Sequence, residues 1–123
     1  MIVGKVTDLL EAVIPLTVLG SGEHRMEIEA VIDTGFNGFL TLEASAIQAL
    51  RLPSAGSRRA TLANGSVVPL NVYLAAVDWH SNALEVLAIE AEGGPLVGMS
   101  MLRGSGMALD VVVNGHVPMA PLL

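Results

Sequence analysis

The sequence predicts an all-β domain, mostly antiparallel, that carries one or two short helices. Apolar residues make up 52% of the 123 residues, which is enough to build a core, and this length suits one domain over residues 1–123. The 13 glycines and 6 prolines interrupt the chain at short intervals, as turns between short strands require. Extended stretches lie between these turn residues, so about eight strands are expected.

The first half of the chain contains three predicted strands and one helix. Val13–Leu19 is apolar and rich in β-branched residues, and Met26–Ile32 alternates between apolar and polar residues until it becomes buried at its end. Phe39–Leu42 is a third, shorter strand. Apolar residues at helical spacing predict a helix over Glu43–Arg51, with Thr41 placed to cap its start.

The second half contains three predicted β-hairpins and a short helix over Gly98–Arg103. Each hairpin has a turn of residues that adopt positive φ or bend readily, flanked by extended segments. The hairpins are Arg58–Ala63 with Ser66–Leu70 around Asn64-Gly65, Asn71–Trp79 with Ala83–Glu90 around Ser81-Asn82, and Ala108–Val113 with His116–Met119 around Asn114-Gly115.

Both ends of the chain are apolar, from Met1 to Val3 and from Met119 to Leu123. Apolar ends left in water would form exposed patches, so we expect them to be covered. Two placements are open. Each end packs beneath its own domain, or the ends are buried against a second copy of the chain.

Charge and composition exclude several classes of function. The net charge of −6 leaves no basic stripe for nucleic acid or for an anionic membrane surface. The absence of cysteine excludes disulfides, thiolate nucleophiles and cysteine zinc sites, and the three histidines lie far apart, so neither a metal nor a cofactor is expected. No signal peptide or membrane-spanning segment is recognised, so the cytoplasm is the expected compartment.

Asp33-Thr34-Gly35 is the strongest chemical signal in the sequence. It follows two β-branched residues, Val31 and Ile32, at the end of a predicted strand. Alone, such a triplet is compatible with a turn in which the aspartate accepts hydrogen bonds from the backbone. The elements that follow the triplet are more informative. They are a strand and a helix, then the hairpin at Asn64-Gly65, and later Leu96–Gly98 before a short helix.

With this company the chain resembles the retropepsin-like aspartic peptidases, the single-lobed relatives of pepsin, from Val13 to about Met119. The resemblance implies a small closed β-barrel of the acid-protease type. It implies that Asp33 is the catalytic aspartate, that the hydroxyl of Thr34 locks the two loops of a dimer together, and that Gly35 allows the backbone to approach the site closely.

The same resemblance assigns the remaining elements of the site. Asn64, Gly65 and Ser66 correspond to the tip of a flap that covers the substrate. Leu96–Gly98 corresponds to the element that packs behind the catalytic loop. Phe36 stands where many members carry a small residue, which is similar to the bacterial branch of the family.

The chemistry of such a site needs two carboxyl groups. Two carboxyls held about 3 Å apart cannot both ionise, so they share one proton, and the ionised one activates water while the protonated one donates to the substrate carbonyl. The chain has only one Asp-Thr-Gly. The second carboxyl must therefore come from a second subunit, which predicts a homodimer with Asp33 facing its own copy, and a peptide or protein substrate.

Other interpretations were weighed against this one. A catalytically inactive retropepsin-fold domain, acting as a dimerisation or peptide-binding module, is open because Pro118 and Pro121 suit an interleaved sheet poorly. An unrelated β-barrel binding module is open too. Asp110 is a weak in-chain partner for Asp33 because no Thr-Gly follows it. Arg58 and Arg59 beside the flap have two interpretations, selection of acidic substrate residues or solvated charges on a strand edge, and the second is favoured.

Overall fold

A computed structural model describes residues 1–123, and strands dominate it, with 53% of the residues in strands and 9% in helices. The elements in chain order are β1 (Ile2–Val6), β2 (Ala12–Leu19), β3 (Arg25–Ile32), β4 (Leu40–Leu42), α1 (Ala44–Leu50), β5 (Ser54–Thr61), β6 (Val67–Trp79), β7 (Asn82–Glu90), β8 (Leu96–Val97), α2 (Met99–Leu102), β9 (Ser105–Met107) and β10 (His116–Pro121). The predicted all-β class is confirmed.

All ten strands form one sheet in the order β5-β6-β7-β4-β8-β3-β2-β1-β10-β9. A further pairing of β2 with β6, through Val18 and Val77, closes the strands from β6 round to β2 into a ring. Most neighbours are antiparallel, as expected, but β3 pairs with β8 and β4 pairs with β7 in parallel. The two parallel pairs surround the candidate site described below.

The core is almost entirely aliphatic and forms one cluster of 20 buried residues. Along β2 the pattern follows the pleat, since Ile14, Leu16 and Val18 are buried while Pro15 is exposed. Trp79 is the only aromatic residue in the buried cluster. Because aromatic residues are scarce, the branched aliphatic side chains of the strands supply the packing.

The β6–β7 hairpin is confirmed, with its turn one residue earlier than predicted. Trp79 pairs with Asn82, so the turn residues are His80 and Ser81, with φ values of 48° and 67°. Two positive φ values are the signature of the tight turn that matches the twist of a hairpin. The buried positions Val77 and Trp79 fix the register, because a slip of one residue would turn both side chains to the other face.

The last predicted hairpin is wrong in its first strand. Ala108–Val113 forms no strand, and β10 pairs instead with Ser105–Met107. The hydrogen bonds of this pair continue past β9, since the amides of Ala108 and Asp110 donate to the carbonyls of Pro118 and His116 at 3.2 and 3.0 Å. The hairpin is therefore present, but its first strand begins earlier than predicted, and the amide of Asn114 in its longer turn donates to the carbonyl of Val6 in β1.

The two ends of the chain pair with each other. β1 lies between β10 and β2, with Ile2 opposite Met119 and Lys5 opposite both His116 and Val13. The backbone of each end is thus paired within its own domain, but the side chains of Met1, Val3, Leu122 and Leu123 are exposed, so the single chain does not cover its apolar ends. None of the helices is long and apolar enough to cross a membrane.

Helix α1 is two residues shorter than predicted, and Thr41 does not cap it. Glu43 occupies the N-cap position without a side-chain hydrogen bond. Thr41 is buried in β4 opposite Ile89, and its hydroxyl accepts a hydrogen bond from the amide of Leu96 at 2.9 Å. Thr41 therefore does not cap α1, as the local sequence predicts, but binds the backbone of β8 from within the sheet.

His80 links the β6–β7 turn to β9. Its Nε2 lies 2.8 Å from the hydroxyl of Ser105, its ring packs on Trp79, and its Nδ1 is buried without a hydrogen-bond partner. Burial lowers the pKa of His80, and the positive amino terminus lowers it further. The unfolded chain therefore takes up a proton at His80 more readily than the folded chain does.

The free energy of unfolding is therefore expected to decrease as the pH is lowered through the ordinary histidine range, around 6.5. Above that range His80 is neutral in both states and contributes no pH dependence. Urea unfolding measured between pH 5 and 8 should show a weaker dependence of the free energy of unfolding on pH for His80→Gln than for the wild type. The same pH dependence of the free energy of unfolding in His80→Gln and the wild type would contradict this role of His80.

Candidate active site

Asp33 lies directly after β3, where the strand runs parallel to β8. Ile32 pairs with Val97, and the amide of Asp33 donates to the carbonyl of Val97 at 2.9 Å. The side chain is half-buried, and its Oδ1 accepts a hydrogen bond from the amide of Gly35 at 2.9 Å. The carboxyl is thus held by the loop that it begins, while its second oxygen makes no hydrogen bond within the chain.

The loop from Asp33 to Phe39 passes across the end of β8. β8 is inserted between β3 and β4, which are the two strands that this loop connects. The first turn of α2 is bonded to the loop, since Met99 donates to the carbonyl of Phe36 at 2.8 Å and Ser100 donates to that of Gly38 at 3.2 Å. The structure therefore brings Leu96–Gly98 against the Asp33 loop, as the resemblance implies.

Two glycines allow this close crossing. A Cβ on Gly98 would lie 2.3 Å from the carbonyl oxygen of Gly38 and 2.6 Å from the ring of Phe36. A Cβ on Gly38 would lie 2.5 Å from the same ring. Such distances are far below van der Waals contact, so Phe36 occupies the space that both glycines leave free. The bulky residue at 36 is matched by the two residues without side chains.

Thr34 and Gly35 are exposed at the outer side of the loop. The hydroxyl of Thr34 makes no hydrogen bond within the chain and borders an open groove of about 550 Å³. This groove, called here the Thr34 groove, runs between the loop, α2 and β9. Its lining residues include Asn37, Met99, Ser100, Leu102, Arg103 and Met107.

The predicted flap hairpin is present, with a different turn. β5 and β6 pair from Thr61 and Val67 inward, and the amide of Leu62 donates to the carbonyl of Ser66 at 2.8 Å. The turn is therefore three residues long, with only Gly65 at positive φ (86°).

Within this turn, Asn64 acts through its side chain. Its Oδ1 accepts hydrogen bonds from the amide and the hydroxyl of Ser66, at 3.0 and 2.6 Å. The prediction that both Asn64 and Gly65 adopt positive φ is thus wrong for Asn64. The reason is that an asparagine can also satisfy the backbone two residues on, which relieves it of the left-handed conformation. All three tip residues are exposed.

A second cavity, of about 310 Å³, lies between the Asp33 loop and the strands of the flap. Its walls include Phe36 and Phe39 from the loop, Leu87 and Ile89 from β7, and Arg58 from β5. We call it the Arg58 cavity. No local motif could have identified it, because three segments far apart in the chain build it, and only the sheet order brings them together.

The weak in-chain candidate partner of Asp33 lies away from the site. Asp110 is exposed in the irregular segment after β9 and lines neither the Thr34 groove nor the Arg58 cavity. Met101 is buried in the core, whereas Met99 and Met107 are exposed along the groove. No three histidine, aspartate or glutamate side chains are grouped so that they could hold a metal ion.

Comparisons of the chain with models of protein families, with curated proteins and with solved structures found no match.

Proposed function

We propose that the protein is an aspartic endopeptidase of the retropepsin type, a homodimer of small closed β-barrels that hydrolyses extended peptides. The observation that carries the proposal is the Asp33 loop. It holds one carboxyl by the amide of Gly35, presses its backbone against Gly98, and leaves Thr34 exposed. The ring of strands from β6 to β2 supports the barrel.

In the proposed mechanism the Asp33 carboxyls of the two subunits share one proton across the two-fold axis. The ionised carboxylate takes a proton from water as the water oxygen attacks the peptide carbonyl carbon. The protonated carboxyl donates its proton to the carbonyl oxygen, which gives a tetrahedral diol. Transfer of a proton to the amide nitrogen then breaks the C–N bond and releases an amine and a carboxylic acid.

The residues of the Thr34 groove support the proposal that a second copy of the chain binds at this face. The groove's exposed Met99 and Met107 offer apolar area next to Thr34, and β9 has an unpaired outer edge beside them. β1 and β10 are each paired on both sides within the chain. We therefore propose that the dimer contact is built around Thr34 and β9, with the terminal strands kept inside each subunit.

The flap supports binding of an extended peptide. β5 is the other edge of the sheet, so its outer backbone groups are free to bond to an added strand. The tip at Asn64–Ser66 is exposed and is tied only to its own backbone. It can therefore move over a substrate without breaking contacts to the core.

Dilution tests the shared site directly. If each site needs two chains, peptide cleavage per chain is expected to fall as the protein is diluted below its dimer dissociation constant, with the total rate approaching the square of the concentration. Fluorogenic peptides and sedimentation over the same concentration range provide the measurement. A strictly monomeric protein that cuts peptides at a constant rate per chain would contradict the proposal. A dimer that binds a hydroxyl-bearing peptide isostere without cutting any peptide would favour the inactive binding module.

A further inference from the structure

The Arg58 cavity has apolar walls and one charged residue. Phe36, Phe39, Leu87 and Ile89 form its apolar walls, Asn37 and Ser100 add polar groups, and no carboxylate lines it. The cavity begins within one turn of the catalytic loop, because the amide of Phe36 bonds to the carbonyl of Asp33 at 3.2 Å. A side chain of a peptide bound along the flap therefore has a hollow to enter close to Asp33.

Arg58 has no partner for its charge. Its guanidinium takes part in none of the side-chain hydrogen bonds of the structure. The other basic side chains also lack a carboxylate partner, and Arg58 is exposed, so its distinguishing feature is its place in the wall of this cavity. A guanidinium beside an apolar hollow presents a planar pair of donors that fits a carboxylate.

The neighbouring arginine is placed differently. Arg58 pairs with Leu70 and Arg59 with Pro69, so the two side chains lie on opposite faces of β5. Arg59 borders a separate hollow with Val67 and Pro69, on the side of the flap away from Phe36. The two residues share their type, charge and strand, and differ in which cavity they face.

We infer that Arg58 is a specificity-determining residue that makes the Arg58 cavity select a glutamate or aspartate side chain of the substrate. The inference rests on the peptidase function proposed above. The aliphatic part of the substrate side chain lies between the phenylalanines and β7, and its carboxylate accepts hydrogen bonds from the guanidinium. A two-fold dimer presents one such cavity on each side of the scissile bond, so acidic residues are expected on both sides.

A peptide library cut by the wild type and read by mass spectrometry tests this. The reaction is run at about pH 5.5, where glutamate is largely ionised. Cleavage sites are expected to carry glutamate or aspartate at fixed positions, with kcat/KM about tenfold above that for the matched glutamine or asparagine peptides. Arg58→Gln should remove this preference and Arg58→Glu should reverse it toward lysine and arginine, while Arg59→Glu keeps the wild-type profile.

The outcomes separate this inference from the proposed function. Arg58→Gln should keep the wild-type melting temperature and sedimentation coefficient, and it should lose far more activity on peptides with acidic residues than on peptides without them. A wild type that cuts the library without acidic preference, or a preference that Arg59→Glu loses as completely as Arg58→Glu, overturns the role of Arg58 and leaves the peptidase intact. A wild type that cuts no peptide overturns both.

Discussion

Replacing Asp33 by asparagine is expected to lower the kcat/KM of peptide cleavage by roughly 10⁴-fold, because an amide can neither take a proton from water nor share one with a second carboxyl. The fold should survive. The asparagine oxygen can still accept the hydrogen bond from Gly35, and the amide of residue 33 can still donate to Val97. The measurement is the cleavage of a peptide that the wild type cuts, with the melting temperature and the sedimentation coefficient taken on the same sample.

Mixing the two proteins makes the test sharper. With an excess of Asp33→Asn, most wild-type chains are paired with a chain that lacks the carboxyl, so activity should fall well below that of the wild type alone at the same concentration. Asp110→Asn makes the same change of charge at an exposed position and should have neither effect. The assignment fails if Asp33→Asn cuts peptides at the wild-type rate, or if an excess of it leaves the wild-type rate unchanged.

The second large effect is expected from Gly98→Ala. The new methyl group would overlap the backbone carbonyl of Gly38 and the ring of Phe36. Neither group is the end of a flexible side chain that could move aside. Overpacking of this kind is expected to lower the free energy of unfolding by about 3 kcal/mol. The corresponding loss in melting temperature is roughly ten degrees. Since the loop must move to relieve the overlap, cleavage should decrease in the folded fraction as well.

Gly22→Ala provides the control for Gly98→Ala. Gly22 has a φ of 64° in the turn between β2 and β3, and a Cβ there meets no atom closer than 3.9 Å. Its replacement should lower the free energy of unfolding by about 1 kcal/mol, because alanine adopts this positive φ less readily than glycine. Chemical denaturation of both variants separates steric overlap from loss of a glycine. Equal destabilisation of the two would show that the crossing of the loop over Gly98 is less close than the structure has it.

Local patterns were sufficient where neighbours in the chain are also neighbours in space. The strands on either side of Gly20–Gly22, the long hairpin of β6 and β7, and the short helix after Gly98 all follow from alternation, turn residues and apolar spacing. The errors fall where distant segments compete. Thr41 serves β8 instead of α1, and the strand predicted over Ala108–Val113 lies earlier, over Ser105–Met107, because the turn that follows is bonded within itself and to Val6 of β1.

The class of fold, the position of Asp33 after a strand and the hairpin at Asn64–Ser66 follow from local sequence patterns, because each depends on residues close together along the chain. The assembled fold was needed to show that β8 lies between β3 and β4, that Gly98 and Gly38 make room for Phe36, and that Arg58 lines the same cavity as that ring. These contacts join segments far apart in the chain. They form because burial of the aliphatic core favours one order of strands in the sheet. That order depends on contacts between distant segments, so no local sequence pattern predicts it.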